Sequence, residues 1–259
     1  MKREFLVETA LLTHGLSSIS DEELLRLWTL SEPCLAWLEE GEFVYGDIEE
    51  YIPFRRRSAT LKRVSLESLQ ADIENGRSGA LTASGTMAAA MNIGAKLAVT
   101  CGMGGISNVI KGEELCPDLP ALAELPVALI AAAPKDVVDI GATVAWLLKK
   151  NVKIYGRESD VLTGFMAVGE PVRLSGVYAN QALEAPLLLL NPLEEALRPA
   201  DSAIIRQAVK AGISAQQRGE YFHPAANREI DLATKGRAAR AQFEKLIENA
   251  HWAKELTHS

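Results

Sequence analysis

An apolar run, Val127-Ala128-Leu129-Ile130, crosses three alanines and a proline and stops on Lys135. Lysine is seldom fully buried without a partner. At the end of a buried strand, its amine is placed to attack a sugar or carbonyl carbon and form a Schiff base. The stretch from Asp136 to Lys150 spaces Val137, Val138, Ile140, Val144, Leu147 and Leu148 as one helical face. At the start of such a helix, the partial positive charge of the N-terminus and an apolar surround both favour the neutral amine. Asp136 works the other way, and a surface lysine paired with Asp136 is the plain alternative.

Further candidates follow other apolar runs. In open α/β sheets ligands bind beyond the carboxyl ends of the strands. The polar groups at such positions are Glu8, Thr82, the loop after Thr100, Lys135 and Asn191. Cys101-Gly-Met-Gly-Gly105 would let backbone N–H groups approach an anion or a sugar closely, or is a tight turn. Glu113, Glu114 and Asp118 offer oxygen ligands for Mg²⁺ or Mn²⁺, or form a solvated acidic loop. Arg55-Arg56-Arg57 and Lys62-Arg63 are a basic stretch, one member of which could hold a phosphate. His14 and His223 lack the spacing of metal ligands and read as structural or surface residues.

Helical and extended patterns alternate along the chain, which predicts an α/β fold with a largely parallel central sheet. Strands are expected at Phe5–Val7, Lys96–Thr100, Val127–Ala132, Val152–Tyr155 and Pro186–Asn191. Ser20 and Glu23 read as a capping box opening a helix to about Gly41, disturbed at Pro33. Ser65 caps a second helix ending near Asn75-Gly76, and Gly79 to Met91 is a close-packed passage from strand to helix. The last 55 or so residues read as mostly helical.

The 259 residues are 48 % hydrophobic and 24 % charged, typical of a globular chain, and are read as one domain spanning 1–259. A net charge of −7 speaks against a broad nucleic-acid surface. Three scattered cysteines, Cys34, Cys101 and Cys116, fit a reducing compartment and no disulfide framework. No apolar stretch reaches about 18 residues, and Glu8 interrupts the first one, so neither a membrane span nor a signal peptide is expected and the expected location is the cytoplasm.

The order and spacing of several segments resemble the pseudouridine-5′-phosphate glycosidases, also called the indigoidine synthase A-like family. These are Glu8-Thr-Ala-Leu-Leu-Thr-His14-Gly15, Arg63-Val-Ser65, Gly79-Ala-Leu-Thr82-Ala83-Ser-Gly-Thr86-Met87, Thr100-Cys-Gly-Met-Gly-Gly105-Ile, Ala132-Ala-Pro-Lys135-Asp-Val-Val-Asp139-Ile-Gly141 and Asn191-Pro192. The resemblance spans almost the whole chain, is strongest over 79–141 and loosens after about 195. It implies a three-layer α/β/α fold, a homotrimer, a divalent metal such as Mn²⁺, and reversible cleavage of the C–C glycosidic bond of pseudouridine 5′-phosphate to uracil and ribose 5-phosphate. Lys135 matches the lysine that attacks the anomeric carbon and becomes the Schiff base. Glu8 matches the acid that moves the proton. By the same resemblance, Arg63 replaces a substrate-contacting lysine and Ala83 takes a backbone-contact position beside Thr82. Cys116, Pro117 and Asp118 fall on a substrate-contacting segment, and Glu114 stands where the family has its metal-binding aspartate. Ile106-Ser-Asn stands in place of the usual His-Arg-Gly, and Gln242 aligns with a family asparagine.

Three functions compete on this reading. The first is a C-glycosidase acting between a pyrimidine-like base and ribose 5-phosphate. The second is a C-glycoside synthase with a different base. The third is a non-catalytic sugar-phosphate-binding protein on the same scaffold. All three expect a small nucleotide or sugar phosphate as partner.

Overall fold

The computed structural model describes residues 3–110 and 114–258. From the N-terminus run β1 (Phe5–Val7), α1 (Asp21–Leu27), β2 (Leu35–Glu39), β3 (Glu42–Gly46), α2 (Ile48–Arg55), β4 (Lys62–Val64), α3 (Leu66–Glu74), β5 (Gly79–Leu81) and α4 (Ala83–Asn92). The middle of the chain forms β6 (Leu97–Val99), β7 (Gly102–Met103), α5 (Asp118–Glu124), β8 (Ala128–Ala131), β9 (Ala133–Pro134) and α6 (Ile140–Lys149). Then come β10 (Lys153–Gly156), β11 (Val161–Leu162), β12 (Val172–Arg173), β13 (Gly176–Val177) and β14 (Leu187–Leu190), followed by α7 (Ser202–Gln217), α8 (Phe222–Ala233) and α9 (Arg237–His258).

One large sheet has the order β13-β10-β14-β8-β6-β1-β2-β5-β4, with β3 added on β2. Only the β2–β3 and β2–β5 pairings in it are antiparallel. The central strands β1, β6, β8 and β14 are buried at every residue. This is why they read as unbroken apolar runs: a parallel sheet covered on both faces leaves no position facing water. Helix α4 packs on β1, β5 and β6, α6 packs on β10, and α9 lies across β1, β6 and β8. The molecule is thus the expected three-layer α/β/α arrangement with a largely parallel central sheet.

Two expected helices differ in extent. The first stops at Trp28, and Leu35–Glu39 is a strand rather than its continuation. Glu32 precedes Pro33, and a residue before proline is pushed out of the helical region. A hairpin follows, with Glu40 at φ 50° and Gly41 at φ 82°, the two positive φ values that a tight two-residue turn requires. Ser20 does cap α1 by accepting from the Glu23 N–H at 3.2 Å, but the Glu23 carboxylate reaches Arg240 rather than completing a capping box. The second correction concerns the helix after Lys135, which begins at Ile140 and not at Asp136. Asp139 is its N-cap, accepting from the Ala142 N–H at 2.8 Å.

Where β1 ends, β2 is shared by β1 and β5, and one hydroxyl closes the fork. Thr9 Oγ1 donates to the Ala36 carbonyl at 2.7 Å and accepts from the Leu81 N–H at 3.0 Å. The chain then makes a single π-helical turn, Leu11–Gly15, braced by the Tyr51 hydroxyl, which donates to the Thr9 carbonyl at 3.1 Å. Arg55 Nε holds the same turn through the Leu12 carbonyl at 2.8 Å. These contacts fix the backbone on the far side of Glu8.

Candidate active site

The strand ends of β1, β6 and β8 lie side by side at the centre of the sheet. Glu8 N–H donates to the Val99 carbonyl at 2.8 Å, and Thr100 N–H to the Ile130 carbonyl at 2.9 Å. Beyond them the chain leaves the main sheet twice in parallel, as β7 and β9. Lys135 emerges from β9 with its N–H bonded to the Met103 carbonyl at 3.0 Å. The glycine loop and the lysine segment therefore form a small two-stranded sheet that aims both at one place. Gly102 has no side chain because there is no room for one: a Cβ there would lie 3.0 Å from Lys135 Cγ and 2.7 Å from the Phe165 ring. The lysine stem is packed by that backbone.

A cavity of about 300 Å³ opens at these strand ends. Glu8, Arg63, Thr82, Ala83 and Lys135 line it, as do Cys116, Pro117 and Asp118. Every catalytic and substrate-contacting position expected from the sequence is thus brought to one cavity. Among the described residues, neither the Arg63 guanidinium nor the Lys135 amine has a hydrogen bond or ion pair to another side chain. Both nevertheless act electrostatically on Glu8.

Glu8 is 4 % exposed. Burial pushes its carboxyl above the ordinary value of 4.5. The positive charges of Lys135 and Arg63 and a hydrogen bond from the Thr100 hydroxyl pull the other way. Behind Thr100 runs a buried polar chain: Asn249 Nδ2 donates to the Thr100 carbonyl at 2.9 Å, and Asn191 Nδ2 donates to Asn249 Oδ1 at 3.0 Å. A buried carboxyl that holds its proton more tightly than usual, close to a lysine, is a pairing that covalent sugar chemistry can use.

Asp118 acts as a clamp. Its Oδ1 accepts from the Ser84 N–H at 3.0 Å and its Oδ2 from the Gly104 N–H at 2.8 Å, tying the start of α4 to the glycine loop. Cys116 packs on that loop so closely that a Cβ at Gly104 would lie 2.1 Å from its Sγ. Asp136 is not the partner of Lys135. Its carboxylate accepts from the N–H groups of Phe165, Met166 and Ala167 at 2.9, 2.7 and 3.1 Å, so it supports the loop that brings the Phe165 ring against Gly102. His14, in the π turn, is held near 4, below the usual imidazole range, first by burial and then by the charge of Arg63.

Other expectations fall elsewhere. Asn191 ends β14 but serves the Asn249 network and does not line the cavity. Arg56 and Arg57 pair with Asp21 at 2.9 Å and Glu39 at 2.6 Å, and Arg55 also pairs with Asp21. The basic stretch is thus divided, with only Lys62 and Arg63 at the cavity. Glu113 lies outside the described residues. Glu114 is exposed, its carbonyl accepts from the Ser107 N–H at 3.1 Å, and it does not line the cavity. No group of three His, Cys, Asp or Glu side chains suited to a cation occurs among the described residues. No step is assigned to a divalent ion.

Sequence reasoning missed several lining residues. Ser65 and Ser84 stood inside family-like segments without a site role of their own, and Asp72 and Arg77, which pair at 3.1 Å, also line the cavity. Tyr221, just before α8, and His223, in its first turn, come from far along the chain; His223, expected to be a structural or surface residue, lines the cavity instead, and no local motif marks either.

This fold and this site define a lysine- and glutamate-bearing cavity at the strand ends of an α/β/α protein. Residues 8–259 match the model of the family described as indigoidine synthase A like protein, and the chain belongs to that family. Among curated relatives, pseudouridine-5′-phosphate glycosidase of Gemmatimonas aurantiaca is 27 % identical over 273 residues, covering 96 % of this chain and 89 % of that protein. Pseudouridine-5′-phosphate glycosidase 2 of Photorhabdus laumondii is 27 % identical over 225 residues, covering 80 % and 72 %. An indigoidine synthase A-like protein of Thermotoga maritima has the same fold, with a TM-score of 0.80 at 20 % identity over 99 % of this chain and 92 % of that one. So does the prealnumycin C-glycosynthase AlnA, solved with ribulose 5-phosphate, with a TM-score of 0.72 at 22 % identity over 98 % and 90 %. Among the described residues no helix is long and apolar enough to cross a membrane.

Proposed function

We propose that this chain is an enzyme of the pseudouridine-5′-phosphate glycosidase type, making or breaking the C–C bond between a pyrimidine-like base and ribose 5-phosphate. The observation that carries the reading is the meeting of Glu8, Arg63 and Lys135 in one cavity of about 300 Å³, in a member of this family. A non-catalytic binder would have no use for a buried acid facing a lysine.

In the cleavage direction, the Lys135 amine adds to C1′ of the sugar. The C1′–O4′ bond breaks and O4′ takes the proton of the Glu8 carboxyl, leaving the open-chain sugar attached through nitrogen and still bonded to the base. The nitrogen lone pair then forms the C1′=N bond as the C–C bond to the base breaks. The electron pair of that bond stays on the base carbon, which is protonated. Glu8, left as a carboxylate by the ring opening, takes the proton whose loss frees the nitrogen lone pair, and it delivers that proton to the base carbon. Water hydrolyses the imine, releasing ribose 5-phosphate and restoring the lysine. Arg63 holds the phosphate as a charge-assisted, forked contact. The reverse order makes the bond, so one site serves a glycosidase or a synthase.

The test is turnover of pseudouridine 5′-phosphate. Uracil and ribose 5-phosphate should appear in equal amounts with the native chain and fall to background with Lys135→Ala. Equal rates for the two proteins would overturn the reading. A homotrimer and a cytoplasmic setting belong to the same proposal.

A further inference from the structure

The cavity has two unlike parts. Most of its lining is charged, hydroxyl-bearing or small, which suits a sugar phosphate. Its only flat rings among the described residues are those of Tyr221 and His223. We propose that these two side chains form the subsite for the aglycone, and that they select a planar aromatic ring there. This rests on the reading of the site as one for a C-nucleotide.

The start of α8 is built to present them. Phe222, between the two, is 2 % exposed and seated on Gly212 of α7. A Cβ at position 212 would lie 2.5 Å from its ring, so this close approach needs a glycine. With Phe222 anchored away from the cavity, its neighbours on either side are turned to line it. Tyr221 is 47 % exposed, placing it at the mouth, and His223 is 8 % exposed, placing it deeper. Helix α8 also packs back on the π turn that follows Glu8, where a Cβ at Gly15 would lie 3.3 Å from Asn227 Nδ2. The contact fixes where α8 starts relative to the cavity.

Among the described residues no other segment supplies this surface. Ile106, Ser107 and Asn108 follow the glycine loop directly, yet none of them lines the cavity. The Ser107 hydroxyl is spent accepting from the Val109 and Ile110 N–H groups, each at 3.2 Å. An aromatic face is what a planar base stacks on, and an imidazole adds a directional hydrogen bond to its edge. The sugar half-reaction, imine formation with ribose 5-phosphate alone, needs neither.

The experiment uses Tyr221→Ala, Tyr221→Phe, His223→Gln and the Tyr221→Ala/His223→Gln double variant. Two quantities are measured on each: the amount of ribose 5-phosphate fixed to the protein by borohydride, and KM for pseudouridine 5′-phosphate with uracil as the competing free base. We expect the alanine and double variants to fix the sugar as the native chain does, while KM rises about 5- to 150-fold, the equivalent of roughly 1–3 kcal/mol for one stacked base. Tyr221→Phe should restore most of the affinity, since stacking needs the ring and not the hydroxyl. Unchanged KM with full trapping would overturn the aglycone subsite and leave the lysine chemistry standing. Loss of trapping in the variants would also overturn it, by showing that the rings serve the sugar end or the fold. No trapping in the native chain would instead sink the parent reading, and the subsite with it.

Discussion

At the scale of single residues, the site depends on charges placed where water is scarce. Glu8 is the clearest case, because burial raises its carboxyl above 4.5. The denatured chain loses that proton as pH rises past about 4.5, whereas the folded chain keeps it until the higher, folded value is reached. The stabilisation tied to the protonated form is therefore complete below 4.5 and is lost as pH rises through the folded value. Glu8→Gln mimics the protonated acid at every pH. Urea midpoints measured from pH 4 to 8 should show the glutamine variant gaining on the native chain as pH rises, while its turnover is lost; a gap that shrinks with rising pH would contradict the assignment. Arg63 makes a separate prediction. A charge-assisted contact to phosphate is worth roughly 1.5–3 kcal/mol, so Arg63→Ala should raise KM for the 5′-phosphate about 10- to 150-fold and hardly alter handling of the bare nucleoside. Equal losses on both would assign the phosphate to another group, such as Lys62. The sequence made both residues legible through their place after or within a strand. It could not reveal that Arg55, Arg56 and Arg57 are engaged by Asp21 and Glu39, since those partners lie well away in the chain.

At the scale of elements, the site is assembled by connections rather than by the strands themselves. The Asp118 carboxylate ties α4 to the glycine loop through two backbone N–H groups. In Asp118→Asn one of those oxygens becomes an NH₂ facing an N–H donor. The expected cost is about 1.5–3 kcal/mol, read as a lower urea midpoint with an unchanged slope, and kcat should fall as the loop loosens. A variant as stable and active as the native chain would show that the clamp does nothing. Apolar runs covered on both faces gave β1, β6, β8 and β14 away in the sequence, because their pattern depends only on burial. The β2–β3 hairpin was hidden because Ser20-Asp-Glu-Glu starts a real helix and nothing local fixes where it ends except Pro33. The helix after Lys135 was read three to four residues too long at its start, since apolar Val137 and Val138 continue its periodicity. Asp136 is drawn off by the 165–167 backbone, a partner about 30 residues away that no local pattern announces.

At the scale of the whole molecule, distant pieces of chain converge: β1 brings the acid, β4 the arginine, β9 the lysine, and α8 folds back with Tyr221 and His223. The first three were legible because family-like motifs mark strand ends. The last was not, because its position is set by the packing of Phe222 on α7 and of α8 on the π turn, which are tertiary facts. A homotrimer predicts a particle of three times the 28.0 kDa chain mass in light scattering at micromolar concentration, and a particle of one chain mass would refute that assembly. The central claim is that Lys135 is the nucleophile, and covalent capture tests it most directly. Native protein incubated with ribose 5-phosphate and reduced with borohydride should gain the mass of one reduced sugar phosphate per chain, and peptide mapping should place it on Lys135. Capture on a different lysine, or none in a preparation that turns over pseudouridine 5′-phosphate, would contradict the account.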